Sequence, residues 1–142
     1  MQINEVVDAI ASKLHEMFGD GYGIYTESME QGFKEPCFFI ALLELQQSKV
    51  VGNRYHRSMS FDIQYFGTGK KDVHRTVDKL MEGMEYIPAS NGDWLNGTNM
   101  KAAIREGVMH FLVHYNTHVY KEPDLIPTMG DITIETNRKR SG

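Results

Sequence analysis

Six histidines are the residues best suited to chemistry in this 142-residue chain, and three of them, His110, His114 and His118, recur at intervals of four. Their surroundings alternate as a β-strand does, so the three share one face. Successive members of such a series lie about 13 Å apart, too far for one metal's ligand sphere. A small transition-metal site would need a cross-strand partner: His56 with His110 or His114, and a carboxylate such as Asp62. That rival reading predicts stoichiometric zinc or another transition metal in the purified protein; packing or solvent-facing histidines are the preferred account.

The single cysteine, Cys37, follows Pro36 at the head of an apolar run. There it reads as a small buried hydrophobe, with no base or activating motif to make it a nucleophile. Gly67-Thr68-Gly69-Lys70-Lys71 has the look of a phosphate loop but not its spacing, because Lys70 is followed by Lys71 and Asp72 where a P-loop needs Ser or Thr. A turn from a strand into a helix is expected instead. Glu27, Glu30, Glu35, Glu44 and Asp62 have no spacing that implies a working carboxylate pair. The sequence is therefore read as having no catalytic, cofactor-binding or metal-binding residues, and no cofactor.

The elements that carry these residues follow from periodicity. Val6, Val7, Ile10, Leu14, Met17 and Phe18 define an amphipathic helix over residues 4–18, with Asn4 as its cap and Gly19 and Gly21 as its stop. Residues 23–26 read as a short strand and 37–45 as a longer one, apolar on both faces and so interior to a sheet. Over residues 55–65 the pattern alternates, with Arg57 spoiling the dry face near the start, as if the strand ran past the core. Val73, Val77, Leu80, Met81 and Met84 give a second amphipathic helix over 71–85, ended by Pro88. The loop that follows is expected to be anchored by Trp94 and Leu95. A hairpin closes the pattern: residues 99–105, a turn at Glu106-Gly107, and a long strand over 108–120. Met17, Met81, Met84 and Met109 are expected as adaptable core filling.

These elements predict an α+β fold, an antiparallel or mixed four- to five-stranded sheet with two helices packed on one face. Residues 1–121 form one domain in this reading. Residues 122–142, rich in Pro and Gly and ending in a basic cluster at Arg138, Lys139 and Arg140, read as an extended or mobile tail, in which Ile132-Thr133-Ile134 is a candidate added strand.

Composition narrows the function classes. Of the residues, 41% are apolar and 24% charged, as in folded proteins, and the formal net charge is −4. That balance argues against a general affinity for phosphate backbones. No apolar run approaches the roughly 20 residues of a membrane-spanning helix, and one cysteine cannot staple the fold, as expected of a cytoplasmic protein. Neither sequence-specific nucleic-acid contact nor a membrane is expected.

Taken together, several segments resemble one known family. They are Ile24-Tyr25-Thr26-Glu27, residues 30–40 (Glu30-Gln31-Gly32-Phe33-Lys34-Glu35-Pro36-Cys37-Phe38-Phe39-Ile40), and Asn53-Arg54-Tyr55 leading to Ser60-Phe61-Asp62-Ile63-Gln64-Tyr65-Phe66. Gly107-Val108-Met109-His110-Phe111, Tyr115-Asn116 and Val119-Tyr120-Lys121 complete the set. The pattern is similar to that of the tail terminator proteins of tailed phages and Gram-positive prophages, and it extends from residue 1 to about residue 121. The resemblance implies a non-enzymatic structural virion protein: a homo-oligomeric ring, usually a hexamer, that caps the tail tube and ends its polymerisation. It also implies a surface for head joining, with the tail tube protein and a head-completion or neck protein as partners, in a virion tail assembled in the host bacterial cytoplasm. A ring needs head-to-tail interfaces, and Tyr55, Arg57 and Tyr120 are the candidate oligomer contacts. The alternatives are a head-completion or stopper protein of the neck and a small ligand- or metal-binding domain.

Overall fold

The computed structural model describes residues 1–26 and 34–121. Glu27 and Glu30, the candidate strand at residues 132–134 and the basic end of the chain lie outside them. The elements run α1 (Ile3–Phe18), β1 (Gly23–Tyr25), β2 (Cys37–Val51), β3 (Arg54–Phe66), α2 (Lys70–Gly83), β4 (Tyr86–Pro88), β5 (Trp94–Arg105) and β6 (Val108–Tyr120). The strands form one mixed sheet in the order β1-β2-β3-β6-β5-β4. Among the described strands only the β1–β2 pair is parallel.

The strand count corrects the expected four or five to six. The addition is β4, three residues long, whose Tyr86-Ile87-Pro88 pairs with Asn96, Leu95 and Trp94. Three residues show no period, and Pro88 reads as a helix stop when it also ends an edge strand. Two further boundaries move. Helix α1 starts at Ile3, with the Gln2 N–H donating to Glu5 Oε1 at 2.8 Å, so Gln2 and not Asn4 occupies the cap. Strand β5 begins at Trp94, in the stretch expected as a loop, and carries an irregularity between Thr98 and Lys101 where Asn99 adopts φ +52°.

Both helices cover one face of the sheet. Val6, Ile10 and Leu14 of α1 and Leu80 of α2 join Met59, Phe61, Ile63 and Tyr65 of β3 and Met109, Phe111, Val113 and Tyr115 of β6 in a single buried cluster. The strand residues are every second position of β3 and β6, as a half-covered sheet requires. Of the methionines expected to fill the core, Met84 and Met109 are fully buried and Met17 and Met81 pack at its margin. Of the expected anchor pair, Leu95 is buried at 1% exposure but Trp94 is 67% exposed. Adjacent strand residues point to opposite faces, so only one of the two can serve.

Turn chemistry sets the register. Glu106 and Gly107 both adopt positive φ, +52° and +79°, which is the backbone of a two-residue type I′ hairpin, and Arg105 pairs directly with Val108. At Gly97 a side chain is excluded, since a Cβ there would lie 2.8 Å from the Met84 carbonyl oxygen. That carbonyl accepts a 2.6 Å hydrogen bond from the Tyr115 hydroxyl, tying the end of α2 to β6. Among the described residues no helix is long and apolar enough to cross a membrane.

Candidate assembly surface

Four of the six histidines, His56, His110, His114 and His118, sit on the sheet face that the helices leave uncovered, while His15 lies on α1 and His74 on α2, and β-pairing distributes the four. His118 lies opposite His56 and His114 opposite Ser60. The His56 and His118 rings meet edge-on at 5.5 Å between centroids. His110 instead engages Asp62, Nδ1 to Oδ2 at 2.9 Å, and Gln64 Nε2 donates to the same oxygen at 3.4 Å. The register thus gives His56 to His118, not to His110 or His114. Among the described residues no three His, Cys, Asp or Glu side chains converge as metal ligands would.

Cys37 is fully buried, and burial, with a smaller push from the Glu35 carboxylate, raises its thiol above the ordinary pKa. A protonated, enclosed thiol is a poor nucleophile. The Gly67–Lys71 segment is the expected strand-to-helix turn. There Asp72 Oδ2 accepts from the Thr68 N–H at 3.0 Å and from the Tyr65 hydroxyl at 2.6 Å. Partial burial opposes the Asp72 charge, but these two bonds and Arg75 outweigh it and hold the carboxyl below its usual range.

Tyr55, Arg57 and Tyr120, which the sequence singled out, lie at one end of the sheet, Tyr55 and Arg57 in phase with the helix-covered face and Tyr120 with the uncovered one. Arg54 pairs with Tyr120, Tyr55 with Val119 and Arg57 with Thr117. The three differ in what they already touch. The Arg57 guanidinium donates to the Met1 carbonyl at 3.0 Å, holding the chain start against the sheet. Lys121 Nζ stands 4.5 Å from the Tyr55 ring centroid, and Tyr120 is 66% exposed.

Beside this end runs the feature that the sequence did not reveal. Strand β2 continues six residues beyond Leu45, and from Leu42 to Val51 every residue is exposed. Leu43 (57%), Val50 (47%) and Val51 (66%) are the most open apolar side chains of this stretch. Strand β3 covers one edge of it; on the other, β1 pairs only with Cys37–Phe39. Gln46-Gln47-Ser48-Lys49 is polar and hides the strand from a periodicity search. The available signal was Gly52-Asn53, a two-residue connection with Gly52 at φ +57° that requires strands on both sides.

Chemically this region offers backbone hydrogen bonding and apolar contact rather than proton transfer or coordination. A long strand edge that has no neighbour among the described residues and carries exposed apolar side chains invites another chain. A family model described as "Phage tail terminator protein" matches residues 5–126. Among curated proteins none matches the chain.

Proposed function

Because the chain belongs to the phage tail terminator protein family, and so is a component of a phage tail, we propose that it closes into a homo-oligomeric ring, a hexamer, that caps the tail tube. One face of the ring stacks on the last ring of tail tube protein and stops polymerisation. The other receives the head-completion or neck protein of the filled head. The action is steric and geometric, without turnover, and the protein takes its place in the virion tail after assembly in the host bacterial cytoplasm.

The observation that supports this reading best is the exposed stretch of β2 from Leu42 to Val51, joined at its far end to Tyr55, Arg57 and Tyr120. An isolated subunit gains nothing from holding these apolar side chains in water, whereas a ring subunit uses them against its neighbours. We assign Tyr55 and Tyr120 to direct intersubunit contact. Arg57 shapes the Tyr55 side of this sheet end through its hold on the chain start.

The test is the mass of the purified protein by light scattering across a concentration series, with and without polymerised tail tube protein, alongside tail lengths seen by electron microscopy. A closed oligomer, formed alone or on the tube, with tails of uniform length is the expected result. A monomer under every condition, or tails of normal length without the protein, overturns the reading.

A further inference from the structure

Among the described residues the sheet leaves two stretches of strand edge without a neighbour, and they are complementary. On one side β2 lacks a described neighbour beyond Phe39. On the other, β4 pairs with β5 only at Trp94–Asn96, so β5 from Thr98 to Arg105 lacks one among the described residues. Following the pairings across the sheet, β2 and β5 run in opposite directions. Placed side by side from two copies, they make an antiparallel pair. We propose that the β2 edge of one subunit pairs with the β5 edge of the next, so that the sheet continues around the ring. This rests on the ring-forming reading above and names the surface that closes the ring.

Side-chain placement sets the parity of the pairing, and charge selects a register within it. Glu44 and Gln46 of β2 lie opposite Ser60 and Ser58, on the uncovered face, while Leu45 lies opposite buried Met59, on the helix-covered face. On β5, Ala102 and Ile104 lie opposite buried Phe111 and Met109, on the covered face, and Ala103 and Arg105 lie on the uncovered one. Opposing Glu44 to Arg105 therefore also opposes Leu45 to Ile104 and Gln46 to Ala103. Charge meets opposite charge, and two exposed apolar side chains, at 37% and 57% exposure, meet each other.

A groove receives the joint on the covered face. It consists of two pockets that share His74 and Ile104; Val77, Asp78, Ala102 and Met109 also line one, and Lys70 and Val73 the other. A strand added to β5 sets its Leu45 over this groove, where α2 already supplies the opposite wall. The pairing is head-to-tail, each copy using a different edge toward each neighbour. That is the geometry a closed ring needs and a two-fold dimer lacks.

Disulfide trapping in the full chain, with and without polymerised tail tube protein, tests the pairing. The doubly substituted Gln46→Cys, Ala103→Cys chain is oxidised and its products are resolved by mass, with circular dichroism confirming the fold. Within one chain the two positions are separated by β3 and β6, at least about 14 Å, which a disulfide does not span; Cys37 is fully buried. The expected product is a ladder of cross-linked species ending at the mass of the ring, with neither single variant forming it. A dimer from Gln46→Cys alone would mean β2 pairing with β2 and overturns the proposal, as does a ring seen by light scattering without any ladder, which leaves the ring reading intact. A ladder in a protein that fails to limit tail length supports the pairing while overturning the terminator role. As a second variant, Glu44→Arg is expected to raise the concentration at half-assembly about tenfold, and adding Arg105→Glu to restore it; no change from Glu44→Arg and no rescue would count against the register.

Discussion

Strand β2 is two structures in one. Its first three residues, Cys37 to Phe39, lie between β1 and β3, and of Cys37 to Ile40 three are buried; its last ten, Leu42 to Val51, are all exposed. Both halves carry large apolar side chains in extended backbone, so composition does not separate them. What separates them is a flanking strand of three residues and the reach of the helices above it. The buried half serves the fold of one chain, and the exposed half has the same chemistry with β3 on one edge and, among the described residues, no strand on the other.

The largest effect is expected in the buried half. The Phe38 ring is fully buried, 4.9 Å from Phe18 and 4.8 Å from Tyr65 between centroids. Phe38→Ala removes that packing and leaves a cavity, and is expected to cost about 3–5 kcal/mol in denaturant unfolding. A cost below about 1 kcal/mol would mean that this end of the sheet is no better packed than the other. Tyr115→Phe comes next. It keeps the ring and removes the donor to the buried Met84 carbonyl, for an expected loss of about 1–3 kcal/mol.

A smaller effect, and a pH signature, belongs to Asp72. Its carboxyl is held below the usual range in the folded chain, so its contribution is present above the unfolded value of about 3.9 and is lost as pH falls through the lower folded value. Asp72→Asn should lower stability at pH 7 by about 1 kcal/mol. It should also make the unfolding midpoint less sensitive to acid than that of the wild type below about pH 4. Parallel acid curves for the two proteins would show that the Tyr65 and Thr68 bonds do not favour the charged form.

How much of this was legible depended on whether a residue's partner lay within its own chain. The helices and the alternation of β3 and β6 were readable because their apolar residues face a core that the same chain supplies. The Glu106-Gly107 turn was readable because its backbone demands are local. Strand β4 was not, being too short to show a period, nor was the Trp94 side of β5, where a loop-like Asn96-Gly97 pairs as strand. The far half of β2 escaped for a different reason: Gln46 to Lys49 face solvent in this chain, so no apolar rhythm marks them. Tyr55, Arg57 and Tyr120 each stand out in the sequence only as residues of long strands. The sequence did not reveal that pairing would gather them at one sheet end, or that Arg57 would reach the Met1 carbonyl.

The smallest expected effect on the fold is the sharpest test of the comparison. Leu43 and Val51 are 57% and 66% exposed, and replacing both with Ser removes apolar surface that the single chain does not bury. The expected change in unfolding free energy is within about 0.5 kcal/mol, as for ordinary surface positions. In the same variant, light scattering should show a lower assembled mass at every concentration where the wild type is oligomeric, if the proposed ring buries this surface between copies. Were stability instead to fall by more than about 1 kcal/mol with assembly unchanged, the exposed half of β2 would be packing within its own chain after all. The contrast between its two halves would then be one of degree.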